Sequence, residues 1–300
     1  MRIRPRTIIT HNGSFHADDV FAVALLLVAQ KGQDFKVIRS RDLEALAEAD
    51  IVVDVGREYK PEEFRFDHHQ EGGAGVRPNG IPYASFGLVW KRFSKDLCSS
   101  RVVAEIVDEK LVAPIDAMDN GIQLFELTNL GLFPYLIQDL VVAFQPTWKE
   151  EGDLDSGFMK LVGVAKEILE REITQAESLV DGEEMVRAAL RETRDKRIVV
   201  LDKPYPWEKV LSNSLETLFV VEPEEGDVRN WKAKAVRTEP QSFDVRHPFP
   251  ISWAGKAGRE LSEVSEVPDA LFCHNQRFIA VAKTKEGALA LAKRALETRK

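Results

Sequence analysis

The chain has 300 residues, 44% of them hydrophobic, and a formal net charge of −8; this length and composition suggest two domains with sizeable cores and exclude a disordered or collagen-like chain. Its longest apolar run, Phe21 to Ala29, is far shorter than the ~20 residues a membrane span needs, and no signal-peptide core follows the basic start, so neither a membrane partner nor secretion is expected. The only two cysteines, Cys98 and Cys273, are too few for a disulfide framework or a thiolate zinc site and fit a reducing cytoplasm.

In chain order, Thr7 to Thr10 reads as a β-branched strand, followed by a loop from His11 to His16 and an apolar helix over 18–30. Phe35 to Ser40 reads as a strand, Asp42 to Ala49 as a short helix, and Ile51-Val52-Val53 as a strand ending at Asp54. Short continuous apolar strands alternating with helices predict a parallel, doubly wound α/β sheet, whose ligands bind at the carboxyl ends of strands. Residues 71–82, rich in Gly and Pro, read as a loop. Helices are expected over 85–93 and 102–118, then a largely helical stretch over 124–197, broken near Pro134 and between Pro146 and Ser156. Strand signals return at 197–201, 217–222, 231–237, 270–273 and 278–282, before a closing helix over 286–296. The expected organisation is a domain over 1–195, including a helical connector, and a smaller α/β domain over 196–300.

The chemistry concentrates early. His11, His16, Asp18 and Asp19 fall at one strand-to-helix turn. Asp54 ends a strand, and Asp67-His68-His69 follows thirteen residues later. Asp116 and Asp119 lie in Ile115-Asp116-Ala117-Met118-Asp119-Asn120-Gly121. Carboxylates and imidazoles without thiolates suit hard or borderline divalent ions, with manganese first and magnesium or zinc as alternatives. A carboxylate at Asp54 bridging two ions ~3.5–4 Å apart is what two-metal phosphate chemistry requires. Each element alone has a plainer reading. Asp18 or Asp19 can simply cap the helix that follows, and histidines often sit in turns. It is the order of the set along a parallel sheet that favours a site.

Asp67-His68-His69 with the upstream Asp54 resembles the DHH phosphoesterase superfamily of exonucleases, oligoribonucleases and manganese-dependent pyrophosphatases. More narrowly, the run from Thr10 to Asp19, Val53-Asp54-Val55-Gly56, Arg65-Phe66-Asp67-His68-His69-Gln70, residues 115–121, Pro206-Trp207-Glu208 and Phe272-Cys273-His274-Asn275 resemble the melanocyte-proliferating-gene family of metal-dependent hydrolases. The resemblance covers nearly the whole chain. It implies a two-metal phosphodiesterase acting as a 3′-to-5′ exonuclease on RNA or short single-stranded oligonucleotides. By position, His11, His16 and Asp54 would hold one ion, and Asp18, Asp54, His68 and Asp119 the other. Asp67 would orient His68 or bind directly, and His69 would face the substrate phosphate. Asp116 competes with Asp119, which the following Asn-Gly favours. Arg57 stands where the family usually has a second Gly; a bulky cation there could reach a phosphate or simply cover the surface, and the surface reading is favoured.

The net charge argues against a general nucleic-acid binder, yet residues 229–259 carry seven Lys/Arg and two acids and interleave them with Trp231, Phe243, Phe249 and Trp253. Basic groups grip phosphates and aromatic faces stack on bases; core aromatics with solvated charges are the plainer reading. Within the resemblance, Arg246 and His274 would contact substrate, with His274 at a strand end facing the metals across an interdomain cleft. The alternatives are a small phosphoester or pyrophosphate hydrolase, and a non-catalytic, metal-stabilised binding protein. Oligomeric state stays open, a homodimer included.

Overall fold

The computed structural model describes residues 5–126, 130–226, 230–239, 242 and 244–298; Arg229 and Phe243 of the basic, aromatic stretch lie outside them. The chain divides into two compact units, Met1–Glu177 and Ser178–Lys300.

In the first unit, β1 (Arg6–Thr10), α1 (Ala17–Ala29), β2 (Phe35–Arg39), α2 (Leu43–Glu48) and β3 (Ile51–Val53) alternate as the pattern predicts. Two short strands that the sequence pattern misses follow, β4 (Tyr59–Lys60) and β5 (Arg65–Phe66). The sheet order is β2-β1-β3-β5-β4, parallel throughout except for β4 against β5. At two residues each, these strands carry no periodicity to detect. Yet β5 matters most for the site. Its parallel pairing sets Phe66 beside Val53, so Asp67 emerges next to Asp54 at one sheet edge.

The run from Val20 to Leu26 is wholly buried, because α1 packs against β1 and β3 and also against α3 (Ser85–Leu97). Leu46 of α2 joins Ile9, Val52 and Val55 on the opposite sheet face. Helices therefore cover both faces, as a parallel sheet requires. The helix expected over 102–118 is split into α4 (Arg101–Val107) and α5 (Ala113–Asp119) by a wide five-residue turn, in which Ala113 N donates to Asp108 O. Pro114 has no amide to continue a regular ladder there. Among its described residues, the stretch expected to be largely helical holds two helices, α6 (Ile137–Ala143) and α7 (Leu154–Glu192). Within the first unit, α7 buries Phe158, Leu161, Val162, Ala165 and Leu169, the three-to-four spacing of one helix face.

In the second unit, β6 (Ile198–Val200), α8 (Glu208–Ser212), β7 (Phe219–Pro223), β8 (Trp231–Ala235), α9 (Gly258–Ser265), β9 (Ala270–Cys273), β10 (Ile279–Ala282) and α10 (Lys285–Glu297) follow in order. The sheet runs β6-β7-β8-β10-β9; β6 and β7 are parallel and the remaining pairs antiparallel. Phe249 and Trp253 are buried in its core with Leu261 and Leu291. They are core aromatics, and the expectation that they stack on bases does not hold. The short α8 and α9 went unpredicted. Among the described residues, no helix is long and apolar enough to cross a membrane.

A buried ion pair ties the loop over 71–82 to the helices. The Arg77 guanidinium meets Asp116 at 2.6 Å and Asp108 at 2.9 Å, and lies over the Tyr83 ring. Gly87 donates its amide to Asp116, and a methyl group at Gly87 would fall 1.8 Å from the Asp116 carboxylate. Gly87→Ala is therefore expected to destabilise the first unit by roughly 2–4 kcal/mol, through overpacking plus disruption of a buried pair. Urea denaturation measures it, and an unchanged midpoint would show that the pair can give way.

Candidate metal centre

β1 and β3 are adjacent, but the chain leaves them toward opposite sides of the sheet, so a crevice opens at their carboxyl ends. His11 follows β1 and Asp54 follows β3. Asp54 sits in the left-handed region at φ +56, which aspartate tolerates better than most residues. The cavity there, of about 650 Å³, is lined by His11, His16, Asp18, Asp54, Asp67, His69 and Asp119 among others.

The N-terminus of α3 orients the carboxylates. Asp18 accepts from the amides of Ser85 at 3.1 Å and Phe86 at 2.6 Å, and the Ser85 hydroxyl donates to Asp54 at 3.1 Å. Helix N-terminal amides are ready partners for anions. Ser85 was not anticipated from the sequence, because its role depends on a contact 31 residues away.

Among the described residues, three groups bring donor atoms within 4.8 Å of one another: His11, Asp19 and Asp54; Asp18, His68 and Asp119; and Asp54, His68 and His69. His11 Nε2 lies 3.1 Å from Asp19 Oδ2 and 3.4 Å from Asp54 Oδ2. His68 Nε2 lies 3.4 Å from Asp54 Oδ1, 3.3 Å from Asp119 Oδ2 and 3.9 Å from Asp18 Oδ2. Asp54 thus turns one oxygen to each side.

His16 lines the cavity, as the expected residues His11 and Asp54 do, but the buried carboxylate beside His11 is that of Asp19, which the expected ligand sets left out. Asp19 Oδ1 caps α1 by accepting from His16 N, and its Oδ2 faces His11. His16 is exposed at the cavity mouth, its ring 5.8 Å from that of His11. Asp67 meets the ring of His69, at 2.7 Å to Nδ1, instead of that of His68, and accepts from the amides of Arg57, His68 and His69. Asp119 faces the cavity, whereas Asp116 is bound to Arg77. Arg57 lines the cavity.

The site's electrostatics follow from burial of so many acids. Burial and the neighbouring Asp54 push Asp18 well above the ordinary carboxylate range, and Asp119 is raised for the same reasons. Burial also raises Asp19, against the pull of His11. Burial works against ionised Asp54 too, but His11 and His68 outweigh it and hold that carboxylate low. The His11 imidazolium loses by burial and gains more from Asp19 and Asp54, ending at about 10. His69 is raised by Asp67. Asp19 Oδ2 and His68 Nε2 are both buried without a hydrogen-bond partner. Each has only ion-pair neighbours; buried polar atoms in that state require an explanation, and a divalent ion that accepts lone pairs from oxygen and nitrogen ligands fits both.

In the second unit, Arg246 directs its guanidinium at backbone carbonyls: Ser214 at 2.5 Å, Thr217 at 3.1 Å, Leu211 at 3.4 Å, and Ser212. It ties the end of α8 to the start of β7. Other cations of the basic stretch are paired locally, Lys234 with Glu222 and Arg259 with Glu263. His247 hydrogen-bonds to Ala295 O. His274 is half-buried between Phe272 and Phe278, which are 39% and 38% exposed.

The sequence model of the family MYG1_exonuc, described as an uncharacterised protein family (UPF0160), matches residues 7–296. The chain is 33% identical to the MYG1 exonuclease of Homo sapiens over 98% of this chain and 87% of that protein. It is 30% identical to the MYG1 protein of Schizosaccharomyces pombe over 97% of each, and 32% identical to the MYG1 protein of Chlamydia pneumoniae over 94% of this chain and 93% of the relative.

Two outcomes are expected. Ligation needs deprotonated groups, and here His11, Asp18, Asp19 and Asp119 hold their protons to raised pH, so metal binding should release protons and tighten as pH rises toward about 10. Calorimetry with Mn²⁺ in buffers of different ionisation enthalpy reads this; zero net release would contradict the arrangement. Arg246→Ala should lower the stability of the second unit by roughly 2–3 kcal/mol, since carbonyls lose a charged donor. A loss near zero in thermal denaturation would instead leave that guanidinium free for substrate.

Proposed function

The chain belongs to the MYG1_exonuc family, and on that premise we propose that it is a divalent-metal-dependent phosphodiesterase, a 3′-to-5′ exonuclease on single-stranded RNA or short oligonucleotides. The observation that carries this reading is the division of Asp54. One of its oxygens faces the His11 and Asp19 side, and the other faces His68 beside Asp18 and Asp119. A closed structural site needs four ligands around one ion. Six residues in two sets sharing a carboxylate, on an open cavity, suit two ions with room for substrate. The name of the human relative, MYG1 exonuclease, supports a phosphodiester substrate.

In this reading His11, Asp19 and Asp54 hold one ion, and Asp18, His68 and Asp119 hold the other with Asp54. When bound, two Mn²⁺ ions supply Lewis acidity, acidifying water and offsetting phosphoryl charge. The remaining chemistry belongs to side chains. The α3 amides keep Asp18 fixed as ligands exchange, and Ser85 holds the Asp54 carboxylate in the orientation that serves both sets. His69, 55% exposed, keeps a proton to higher pH than a free imidazole because Asp67 pairs with its Nδ1. Its other nitrogen is then a donor for a phosphoryl oxygen, and stays so until pH rises past its raised pKa. In the second unit His274, flanked by exposed Phe272 and Phe278, is the residue offered to the strand. Arg246 contributes by holding the turn that supports β7. A cytoplasmic location follows the reading of the cysteines, both of which are unpaired thiols.

Purified protein should shorten end-labelled RNA oligomers stepwise in Mn²⁺, stop in chelator and resume when metal is restored. Asp54→Asn should lose metal from both positions, whereas Asp19→Asn should lose one ion and His16→Ala should retain two. Product ladders from 5′- and 3′-labelled RNA and DNA resolve polarity and sugar preference; metal content is counted by mass spectrometry. Full turnover in chelator, or two ions retained in Asp54→Asn, would sink the proposal.

A further inference from the structure

The cavity floor is acidic, and its rim carries two cations, Arg41 in the loop after β2 and Arg57 in the loop after β3. These loops flank the one that carries His11, since β2 and β3 lie on either side of β1. Both arginines are exposed, and among the described residues neither guanidinium has a hydrogen-bond or ion-pair partner. Their neighbours differ. Arg39, two residues before Arg41, donates to Asp155 and Gly13; Arg65, at the start of β5, is held by carbonyls of Glu63 and Ala49.

The backbone of Arg57 makes the contrast sharper. It adopts φ +57, directly after Gly56 at +97. That left-handed conformation suits glycine and strains an arginine, and strain retained beside a site is a reason to look for a function. The Arg57 amide donates to Asp67 at 2.5 Å, and the same carboxylate holds His69. The position of Arg57 is thus tied mechanically to the residue that faces a scissile phosphate. Leu43, 78% exposed, lines the cavity between these loops with Leu46 and Val55, an apolar wall suited to a sugar or base.

We propose that Arg41 and Arg57 form a phosphate subsite that grips a second, non-scissile phosphate, so that the cavity selects substrates with at least two phosphates in sequence over a lone phosphodiester. The inference rests on the phosphodiesterase reading for the identity of the scissile group. Guanidinium forks match phosphate oxygens in bidentate geometry. At the mouth they also offset the field of the acidic floor, which would otherwise repel a polyanion.

The test uses the full chain with Mn²⁺ and compares wild type, Arg41→Gln, Arg57→Gly and the double variant. Arg57→Gly removes the side chain and relieves the backbone, so its thermal midpoint should equal or exceed that of wild type. The substrates are a single-stranded RNA pentamer and a chromogenic phosphodiester with one phosphate. The ratio of kcat/KM for RNA to that for the chromogenic ester should fall about tenfold for each arginine, mostly through KM. A second readout needs no turnover: anisotropy of a labelled, non-hydrolysable phosphorothioate pentamer at several salt concentrations. Each variant should weaken binding and reduce the slope of log affinity against log salt by ~0.7. Weakened binding by the variants in a protein that hydrolyses neither substrate would uphold the arginine subsite while removing the hydrolase reading. Hydrolysis of RNA with KM, affinity and salt slope unchanged in the double variant would overturn the subsite. So would equal losses on both substrates.

Discussion

The buried first turn of α3 is the contact on which the arrangement of the acidic site depends. Three successive amides, of Ser85, Phe86 and Gly87, donate to Asp18 and Asp116, and the Ser85 hydroxyl reaches Asp54. Without such partners, carboxylates brought this close in a buried pocket would repel one another and resist desolvation, so burial alone would drive them to bind protons. The helix terminus supplies donors that are fixed by the backbone and do not compete for protons. It leaves other lone pairs of Asp18 and Asp54, both of which line the cavity, where cations can use them.

That division of labour explains why the aspartates of the first unit differ so much. Asp116 is fully buried and spent on Arg77 and Gly87, and burial raises it to about 7 despite the pairing. Asp54 has imidazoles on two sides and stays ionised. Asp67 binds three backbone amides and one ring, so it acts by holding His69 and the Arg57 loop in place. One residue type thus serves as core anchor, shared partner of two imidazoles and brace, and only its neighbours distinguish the three.

The second unit shows the opposite economy. Its basic stretch has the composition of a strand-binding surface, yet Arg246, Lys234 and Arg259 are engaged within their own unit, and Phe249 and Trp253 fill its core. In the same unit, half-buried His274 lies between the partly exposed rings of Phe272 and Phe278. A count of positive charges along the sequence cannot separate a cation facing solvent from one closing a turn, because both occupy the same composition.

Much of the first unit was legible before folding. The alternation of apolar strands and helices up to Asp54 determined a parallel sheet, because strands covered on both faces must be continuously apolar. Position at a strand end likewise placed His11 and Asp54 on one edge. His68 and Asp119 followed from local order. Only the tertiary structure decided the rest, for reasons that sequence spacing does not encode. His16 and Asp19 lie on the same turn, and the direction in which α1 starts, set by its packing on α3, buries Asp19 against His11 and leaves His16 exposed at the cavity. Asp67 selects the ring of His69 because β5, too short to leave a pattern, fixes how the chain leaves the sheet beside Asp54. Ser85 acts on Asp54 across 31 residues, and Arg77 reaches Asp116 across 39. Such pairings depend on which elements pack together, and a residue's own neighbours in sequence carry no trace of them.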